Sequence, residues 1–314
     1  MAYEGAPILI TGGSGFIGQR LITELLIKRE ANLYAICRDE DVEDVRVMRG
    51  DLRNYDDVQR AFYESDPALV IHLGAVAPIG WGYRAPRQVL TSNINGATNV
   101  LDACREFGNV PCVLMSSDKS YGKPLASPVT EETELNPRHP YDAGKAAADM
   151  IGISYACTYG VPVQILRPAN VYGPGDLHWN RLIPAAIKAA LLKEALILRS
   201  DGSPIRDYIY IDDLIDAIIR LVDTIFYGDV LKTKYDIWNI AAWQTYSVLE
   251  VLAHIDSVLG TKIKPELGSM AMIESETDIL HIDGSAFMKE FEWAAKTSFD
   301  FGLELTANWI QSQL

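Results

Sequence analysis

The chain contains little of what several classes of protein require. Only four cysteines occur among 314 residues, with no C-x-x-C pair, and the five histidines are scattered. These counts exclude a disulfide scaffold, and we expect no metal site and buried thiols in a reducing compartment. Positive charge is also scarce, with 28 lysines and arginines against 42 aspartates and glutamates. The net charge of −14 argues against nucleic acid or an anionic membrane as a partner.

Long apolar segments are missing too. No run approaches the ~20 residues of a membrane-spanning helix, and no signal peptide is recognisable in the first residues. We therefore expect a cytoplasmic protein that binds no membrane. Internal repeats and low-complexity linkers are also absent. With 48% hydrophobic residues, the chain is long enough to bury a large core, as one domain or as two lobes.

Short apolar runs alternate with helical patterns through the first half of the chain. Strands are predicted near 7–10, 33–37, 69–73, 111–115 and 163–167, and helices near 16–29, 55–64, 86–107 and 141–159. Such β-α repetition predicts an α/β fold with a Rossmann-like, doubly wound parallel sheet. The pattern beyond Asn170 is less regular. It predicts helices near 180–192, 212–226, 246–259 and 303–313 and a short strand near 196–199.

A glycine-rich loop follows the first predicted strand. Residues 11–18 have the sequence TGGSGFIG, with glycines at Gly12, Gly15 and Gly18, and a helical pattern begins at Phe16 and Ile17. Glycine lets the backbone turn sharply and approach a pyrophosphate, whose charge meets the helix N-terminus. Strand, glycine turn and helix in this order predict a dinucleotide-binding site. An ordinary strand–helix turn is the alternative.

The regular and irregular parts of the sequence predict two domains. We expect residues 1–168 to form the dinucleotide-binding Rossmann domain, with 207–235 packing back onto it. Residues 169–206 and 236–314 are expected to form a smaller α/β substrate-binding lobe.

A tyrosine and a lysine share one face of the fourth predicted helix, Tyr141 and Lys145 at positions i and i+4. A nearby ammonium favours the phenolate, which would let Tyr141 act as a base near neutral pH. The alternative is a surface pair on an amphipathic helix. Ser117 follows the fourth predicted strand, at an edge where such sheets bind ligands, and its hydroxyl would bond a substrate alcohol. An ordinary serine-rich loop is the alternative there.

Taken together, the glycine loop, Ser117, Tyr141 and Lys145 resemble the extended short-chain dehydrogenase/reductase family, which includes NAD-dependent nucleotide-sugar epimerases and dehydratases. Further segments match family motifs in order along nearly the whole chain. They are GDL at 50–52, HLGA at 72–75, NINGATN at 93–99, RPANVYGPG at 167–175 and RDYIYIDD at 206–213. Gly144 departs from the family pattern, since serine is common at that position.

The resemblance implies which residues bind the cofactor. They are Gly12, Gly15, Phe16, Ile17, Gly18, Arg38, Asp51, Leu52, Leu73, Gly74, Ala75, Asn93, Tyr141, Lys145 and Pro168. NAD is expected, because a cofactor that is reduced and reoxidised in each turnover usually stays bound. Arg38 follows the second strand where NAD-binding members usually have an acidic residue, and it suits the 2′-phosphate of NADP. Asp39 would serve NAD if that strand were one residue longer, so NADP remains an alternative.

The resemblance also implies the roles of the site residues. Tyr141 would remove a proton from a sugar hydroxyl, Lys145 would hold the nicotinamide ribose, and Ser117 would orient the hydroxyl. The residues implied to bind a nucleotide-diphosphate sugar are Ser117, Asn170, Arg181, Arg206 and Asn239. A guanidinium suits a diphosphate. An ion pair of Arg206 with Asp207 or Asp212 is the alternative.

Two charged residues, Asp118 and Lys119, directly follow Ser117. This segment is most similar to the CDP-glucose 4,6-dehydratase-like branch, in which the Asp is the expected acid for C6–O cleavage and the Lys the expected C5 base. A 4-epimerase needs neither group. We therefore predict a nucleotide-sugar 4,6-dehydratase. Its catalytic residues would be Ser117, Asp118, Lys119, Tyr141 and Lys145.

Several alternatives to this function stay open at the level of sequence. They are a UDP-glucose 4-epimerase-like enzyme, an NADPH-dependent keto-sugar reductase and a dinucleotide-binding protein without turnover. Asp118 and Lys119 would then form a solvated pair with no catalytic part. Family members commonly pair through two long helices, here near 92–107 and 141–158, which implies a homodimer.

Overall fold

Short runs rich in isoleucine, leucine and valine form most of the strands. The structure, a computed structural model, describes residues 3, 5–29, 31–77, 79–228, 234–268 and 277–314. In chain order its strands are β1 Pro7–Thr11, β2 Asn32–Cys37, β3 Arg46–Arg49, β4 Leu69–His72, β5 Cys112–Met115, β6 Val163–Pro168, β7 Asn170–Tyr172, β8 Leu196–Ile197, β9 Ile205–Tyr210, β10 Tyr235–Ile240, β11 Gln244–Ser247, β12 Pro265–Glu266 and β13 Ile279–Leu280.

The helices begin and end where the local sequence provides caps. Asn54 accepts a hydrogen bond from the backbone of Asp56 at the start of α2, and Ser247 and Glu250 form a capping box on α8. In chain order the helices are α1 Phe16–Arg29, α2 Tyr55–Ser65, α3 Ile79–Arg84, α4 Pro86–Glu106, α5 Pro140–Tyr159, α6 Leu182–Leu192, α7 Ile211–Tyr227, α8 Val248–Leu259, α9 Ser285–Glu290 and α10 Phe299–Gln313. None of the helices in the described ranges is long and apolar enough to cross a bilayer.

Seven strands form one sheet in the order β10-β6-β5-β4-β1-β2-β3. The registers that join β3 through β6 are parallel, with Ile8 of β1 between Leu33 of β2 and Leu69 of β4. From β1 the chain moves outward to β3 and then returns to β4 on the other side of β1. This reversal gives a topological switch point at the carboxyl ends of β1 and β4, where open α/β sheets bind ligands.

The core under this sheet explains why the strand ends are fixed. β4, β5 and β6 are buried along their whole length. Their side chains pack with residues of α2, α4 and α5, including Phe62, Val100 and Ala156, all fully buried. Burial of this kind is worth ~25 cal/mol per Å² of apolar surface, which makes the sheet a rigid support for the loops at its edge.

The chain forms two compact units, each built from three separate segments. Unit 1 comprises Met1–Ser120, Pro140–Arg167 and Ile215–Trp238, and unit 2 comprises Tyr121–His139, Pro168–Leu214 and Asn239–Leu314. The sequence-based division differs at residues 121–139 and 207–214, which it assigned to the dinucleotide-binding domain, and at 236–238, which it assigned to the substrate-binding lobe. Residues 121–139 belong to unit 2 because Val129 forms a β-bridge with Ile282 and Tyr121 bonds Asn239.

Unit 2 contains two small sheets. β9 pairs with β11, β13 and β7, and β12 pairs with β8. The helices α6, α8 and α10 pack on one another. An aromatic group centred on Phe299, with Tyr172, Tyr208 and Tyr246 around it, joins α10 to the strands.

The predicted α/β fold with its Rossmann-like sheet is confirmed, and each predicted strand and helix is present within a few residues. The expectation of four buried thiols was wrong at one position. Cys37, Cys104 and Cys112 are buried, but Cys157 is exposed because it lies on the outer face of α5.

Candidate active site

The glycine loop joins the end of β1 to the start of α1. Gly12 has a φ of 71°, and a Cβ there would lie 2.8 Å from Cα of Gly74. A Cβ on Gly18 would collide with the carbonyl oxygen of Gly12. The amide of Gly15 closes the turn by donating to that same oxygen at 3.1 Å. Bare backbone beside a helix N-terminus is a cradle that fits a pyrophosphate.

The first turn of α1 continues this cradle. Phe16 and Ile17 are both half-buried there, directly after the exposed Gly15. They lie where the sequence predicted them, at the positive end of the helix dipole.

A hydrogen-bonded chain connects the ends of β1 and β4. The amide of Gly74 donates to Oγ1 of Thr11 at 3.0 Å, and that oxygen lies 2.7 Å from Nδ1 of His72. Burial lowers the pKa of His72 to about 3, and the charge of Lys145 acts in the same direction. His72 is therefore neutral at physiological pH, and its tautomer sets the direction of the hydrogen bond between Nδ1 and Oγ1 of Thr11.

Asn93 of α4 fixes the backbone that follows β4. Its Oδ1 accepts from the amide of Val76 at 2.8 Å, and its Nδ2 donates to the carbonyl of Val76 at 3.4 Å. The segment Leu73–Ala75, a predicted cofactor contact, is thereby held from both ends. A Cβ on Gly144 would lie 3.1 Å from Cβ of Asn93, so glycine at this position lets α5 approach α4 closely.

The carboxyl edge of β2 carries charges of both signs. Arg38 and Asp39 are both exposed directly after the strand. The side chain of Arg53 bonds Asp51 and lowers the pKa of that carboxyl, and Arg38 contributes to the same shift. Leu52 is half-buried beside them. The basic residue that suits NADP thus has an acidic neighbour.

Ser117, Asp118 and Lys119 form a hydrogen-bonded cluster after β5. Oγ of Ser117 donates to Oδ1 of Asp118 at 3.0 Å and accepts from the amide of Lys119 at 3.2 Å. Nζ of Lys119 lies 3.6 Å from Oδ2 of Asp118, which accepts no hydrogen bond within the described residues. The side chain of Asp118 is 4% exposed and that of Lys119 is 16% exposed, so the pair is largely shielded from solvent, and its part in catalysis stays a prediction.

The tyrosine and lysine of α5 are both buried, at 8% exposure for Tyr141 and 6% for Lys145. The alternative of a surface pair was therefore wrong. Nζ of Lys145 donates to the carbonyl of Met115 at 2.7 Å. Burial lowers the pKa of Lys145 to about 8, and the carboxylate of Asp149 opposes this shift. A lysine of this kind exchanges its proton near neutral pH.

A buried ion pair lies one helical turn beyond the lysine, and the sequence motifs gave no sign of it. Nε of Arg167, near the end of β6, donates to Oδ2 of Asp149 at 2.9 Å. The two side chains are 2% and 0% exposed. Pro168, a predicted cofactor contact, follows as the buried last residue of β6.

Two predicted substrate-binding residues lie on neighbouring strands of unit 2. Nδ2 of Asn170 on β7 donates to the carbonyl of Asp207 on β9 at 2.9 Å. Arg206 donates to the carbonyls of Ile205 at 2.7 Å and Thr277 at 2.8 Å. Within the described ranges Arg206 forms no ion pair, so the alternative of a structural pair with a neighbouring aspartate was wrong.

Arg181 lies at the start of α6, where it serves as the N-cap residue. Its Nη1 lies 3.0 Å from Oδ2 of Asp176, a carboxylate that is 1% exposed. The guanidinium is about one-third exposed, and it is therefore accessible to a ligand of unit 2.

Asn239, the last predicted substrate contact, is completely buried in unit 2. Its Oδ1 accepts from the hydroxyl of Tyr121 at 2.8 Å. Its Nδ2 donates to the carbonyls of Val129 at 3.0 Å and Asp283 at 3.1 Å. The amide thus joins three chain segments, and its binding of substrate stays a prediction.

Known proteins are similar to this chain over nearly its whole length, including all of the site residues described above. The dTDP-4-dehydro-6-deoxy-D-allose reductase of Streptomyces bikiniensis is 28% identical, over 98% of this chain and 97% of the reductase. The dTDP-glucose 4,6-dehydratase of Mycobacterium tuberculosis is 30% identical, over 97% and 93% of the two chains. The solved UDP-glucose 4-epimerase of Thermus thermophilus in complex with NAD has a TM-score of 0.85 at 26% identity, covering 98% of this chain and all of the epimerase.

These proteins catalyse three different reactions, and the solved epimerase binds NAD. Residues 8–241 match the model of the NAD dependent epimerase/dehydratase family, which is about three-quarters of the chain. The predicted family is therefore confirmed, and NAD is the cofactor of this family. This chain belongs to the NAD-dependent epimerase/dehydratase family.

Proposed function

We propose that this chain is a nucleotide-sugar 4,6-dehydratase that uses NAD. One observation carries the proposal, the ion pair of the buried Asp118 with Lys119, which is 16% exposed, directly beside Ser117. Loss of water across C5–C6 of a sugar needs a base for the C5 proton and an acid for the departing oxygen. A 4-epimerase needs neither.

The glycine loop supports NAD as the cofactor. Gly12 and Gly18 leave no space for a Cβ, and Gly15 is exposed at the N-terminus of α1. These residues would hold the pyrophosphate, and Lys145 would bond the nicotinamide ribose. Bound NAD would supply a reversible hydride acceptor, which takes hydride from C4 of the sugar and returns it to C6.

Tyr141 begins the reaction as a base. It removes the proton of the C4 hydroxyl, and the ammonium of Lys145 favours its phenolate form. Ser117 donates or accepts a hydrogen bond at the same hydroxyl, because its Oγ has both capacities. The resulting C4 ketone makes the C5 proton acidic.

Asp118 and Lys119 then remove water. Lys119 takes the C5 proton, and Asp118 gives a proton to the C6 oxygen as the C6–O bond breaks. Lys119 gives that proton back to C5 as hydride returns to C6, which completes the 4-keto-6-deoxy product. Tyr141 is then left with the proton of the C4 hydroxyl and Asp118 without its own, so one proton must pass from Tyr141 to Asp118 before the next turnover.

Arg206 and Asn170 are proposed to bind the diphosphate of the substrate. The guanidinium of Arg206 has five donors, of which Nη1 and Nη2 already bond backbone carbonyls. Donors therefore remain for a phosphate oxygen, and the carbonyl bonds fix the plane of the guanidinium. Arg181 adds a second positive charge in unit 2.

We also propose a cytoplasmic homodimer. The four cysteines are all free thiols, which agrees with a reducing compartment. On α5, Met150 is 57% exposed and Tyr159 is 51% exposed, and both would be covered in a dimer that pairs α4 and α5 of two copies. Sedimentation of the wild type and of Met150→Asp tests this arrangement, since the variant should shift the protein toward monomer.

The test of function is mass spectrometry of products from CDP-, UDP-, GDP- and dTDP-sugars, with only the cofactor that co-purifies. A product lighter by one water supports the dehydratase. An unchanged mass with a new stereoisomer would instead identify an epimerase. A product heavier by two hydrogens, formed only when NADPH is added to a keto-sugar, would identify a reductase.

Variants make this test sharper. Asp118→Asn and Lys119→Met should stop the loss of water and leave hydride removal from C4, visible as bound NADH absorbance. Lys123→Met removes the same charge from an exposed position of the following loop and serves as the control. Equal products from Lys119→Met and the wild type would contradict the proposal.

A further inference from the structure

We propose that Asp149 is a positioning residue that keeps Lys145 charged and in place, and that it thereby sets the pH range in which Tyr141 works. The inference rests on the proposed role of Tyr141 as the base. Lys145 and Asp149 are one turn apart on the buried face of α5, at 6% and 0% exposure.

The surroundings of Lys145 offer the ammonium little other compensation. Its Nζ bonds the carbonyl of Met115 on β5, a dipole without formal charge. From β4 the ammonium faces His72, which is neutral and therefore provides no negative charge. From β6 comes Arg167, a second cation. Among these groups Asp149 provides the negative charge, and it is the group that favours the charged form of Lys145.

Arg167 holds Asp149 in the position that this role requires. The 2.9 Å bond from Nε to Oδ2 fixes the carboxylate on the side of the helix that faces the sheet. Burial raises the pKa of Asp149, and the charges of Arg167 and Lys145 oppose that effect. One buried carboxylate is thus shared by two buried cations.

Because Lys145 and Arg167 share the carboxylate of Asp149, removal of that carboxylate affects the two cations differently. Arginine stays protonated under all ordinary conditions, whereas a buried lysine readily loses its proton. Without Asp149, Lys145 is therefore the group that becomes neutral. Tyr141 would then lose the neighbouring charge that favours its phenolate, although neither catalytic side chain had been altered.

The first test measures the charge of Lys145 without any turnover. A lysine whose pKa falls from 10.5 to about 8 on folding destabilises the native state below pH 8, and this cost is relieved as the pH rises toward 10.5. Urea unfolding at a series of pH values should show that rise in the wild type. In Asp149→Asn the rise should begin at least about one pH unit lower.

A second variant allows for failure of Asp149→Asn to fold, since breaking a buried pair is strongly destabilising. Asp149→Asn combined with Arg167→Met removes both partners and leaves no unpaired arginine. The same early rise is expected there. In a Lys145→Met background, Asp149→Asn should leave the pH dependence above pH 6 unchanged, because the titrating group is gone.

The second test uses turnover of the responding nucleotide sugar in the holoenzyme. The acidic limb of the pH–rate profile should move to higher pH by about one unit or more in Asp149→Asn. Asp149→Glu should restore most of the wild-type profile, because it retains the charge. A loss of rate that is equal at every pH would show a merely structural role.

The two tests separate this inference from the proposed function. Absence of turnover in the wild type with every nucleotide sugar would overturn the proposed function, and the unfolding series would still decide whether Asp149 controls the charge of Lys145. The inference itself would be overturned if the free energy of unfolding changed with pH in the same way, between pH 6 and 10.5, in the wild type, in Asp149→Asn and in Asp149→Asn combined with Arg167→Met.

Discussion

Oγ1 of Thr11 lies 2.7 Å from Nδ1 of His72, so the ends of β1 and β4 are joined by a side-chain hydrogen bond directly beside the glycine loop. Burial disfavours the charged form of this imidazole and lowers its pKa. The switch point of the sheet therefore contains a histidine that is neutral in the native state.

The burial of His72 predicts a loss of stability in acid. The pKa of His72 is lowered from 6.5 to about 3, so between these values the unfolded chain binds a proton that the native chain does not. The free energy of unfolding should therefore fall as the pH drops from 6.5 toward 3, by up to ~1.4 kcal/mol per pH unit. Urea unfolding between pH 7 and pH 4 measures this slope.

His72→Asn is the matched variant, because its Oδ1 can accept from Thr11 and does not titrate. Its unfolding free energy should depend less on pH in the same range. Identical slopes for the variant and the wild type would mean that other groups cause the acid lability.

Gly18→Ala should weaken binding of NAD by about tenfold or more, a cost of ~1.4 kcal/mol. The new Cβ would collide with the carbonyl oxygen of Gly12, and the loop must move to avoid it. Isothermal titration with NAD measures the effect. Gly80→Ala is the control, since a Cβ there meets no atom within 4 Å. Unchanged affinity in Gly18→Ala would contradict the assignment of the loop.

Tyr141→Phe should reduce turnover by about 10²- to 10⁴-fold, the usual contribution of a positioned base. The phenyl ring retains the packing of the buried side chain but cannot take a proton. Tyr63→Phe, at an exposed position of α2, should retain wild-type turnover. A Tyr141→Phe enzyme with normal rates would remove this residue from the mechanism.

Arg206→Met should weaken binding of a nucleoside diphosphate by about ten- to one-hundredfold, because a hydrogen bond to a charged group contributes about 1.5–3 kcal/mol. Binding of the corresponding nucleoside should change far less, since it has no phosphate. Lys262→Met removes one positive charge from an exposed position of unit 2 and provides the comparison. An equal loss for nucleoside and diphosphate would indicate that Arg206 acts only through its bonds to Ile205 and Thr277.

The elements that the sequence predicted correctly are those with a strong local signal. β4 and β5 are continuous apolar runs, and α4 and α5 have long helical patterns. β3 was not predicted because it is four residues long and has an arginine at each end. α3 was not predicted because its six residues include two glycines. Both form because neighbouring elements in the fold stabilise them.

In the candidate site, too, the residues found from the sequence are those with a local motif. Ser117, Tyr141 and Lys145 could be found from local motifs, and their burial could not. The pair of Asp149 and Arg167 was not found, because 18 residues separate the two and only the packing of α5 on β6 brings them together. Asn239 was predicted from its motif to contact substrate, yet its three hydrogen bonds depend on segments far away in sequence.

The passage of the chain back and forth between the two units affects the order in which they can be completed during synthesis. Unit 1 needs 215–238, which follow the first two segments of unit 2, and unit 2 needs residues up to 314. Unit 1 therefore cannot be completed until two of the three segments of unit 2 have been translated, and unit 2 is completed last. A gene fragment ending near residue 168 would therefore yield a polypeptide with an open sheet edge at β6, exposed to aggregation and to chaperones.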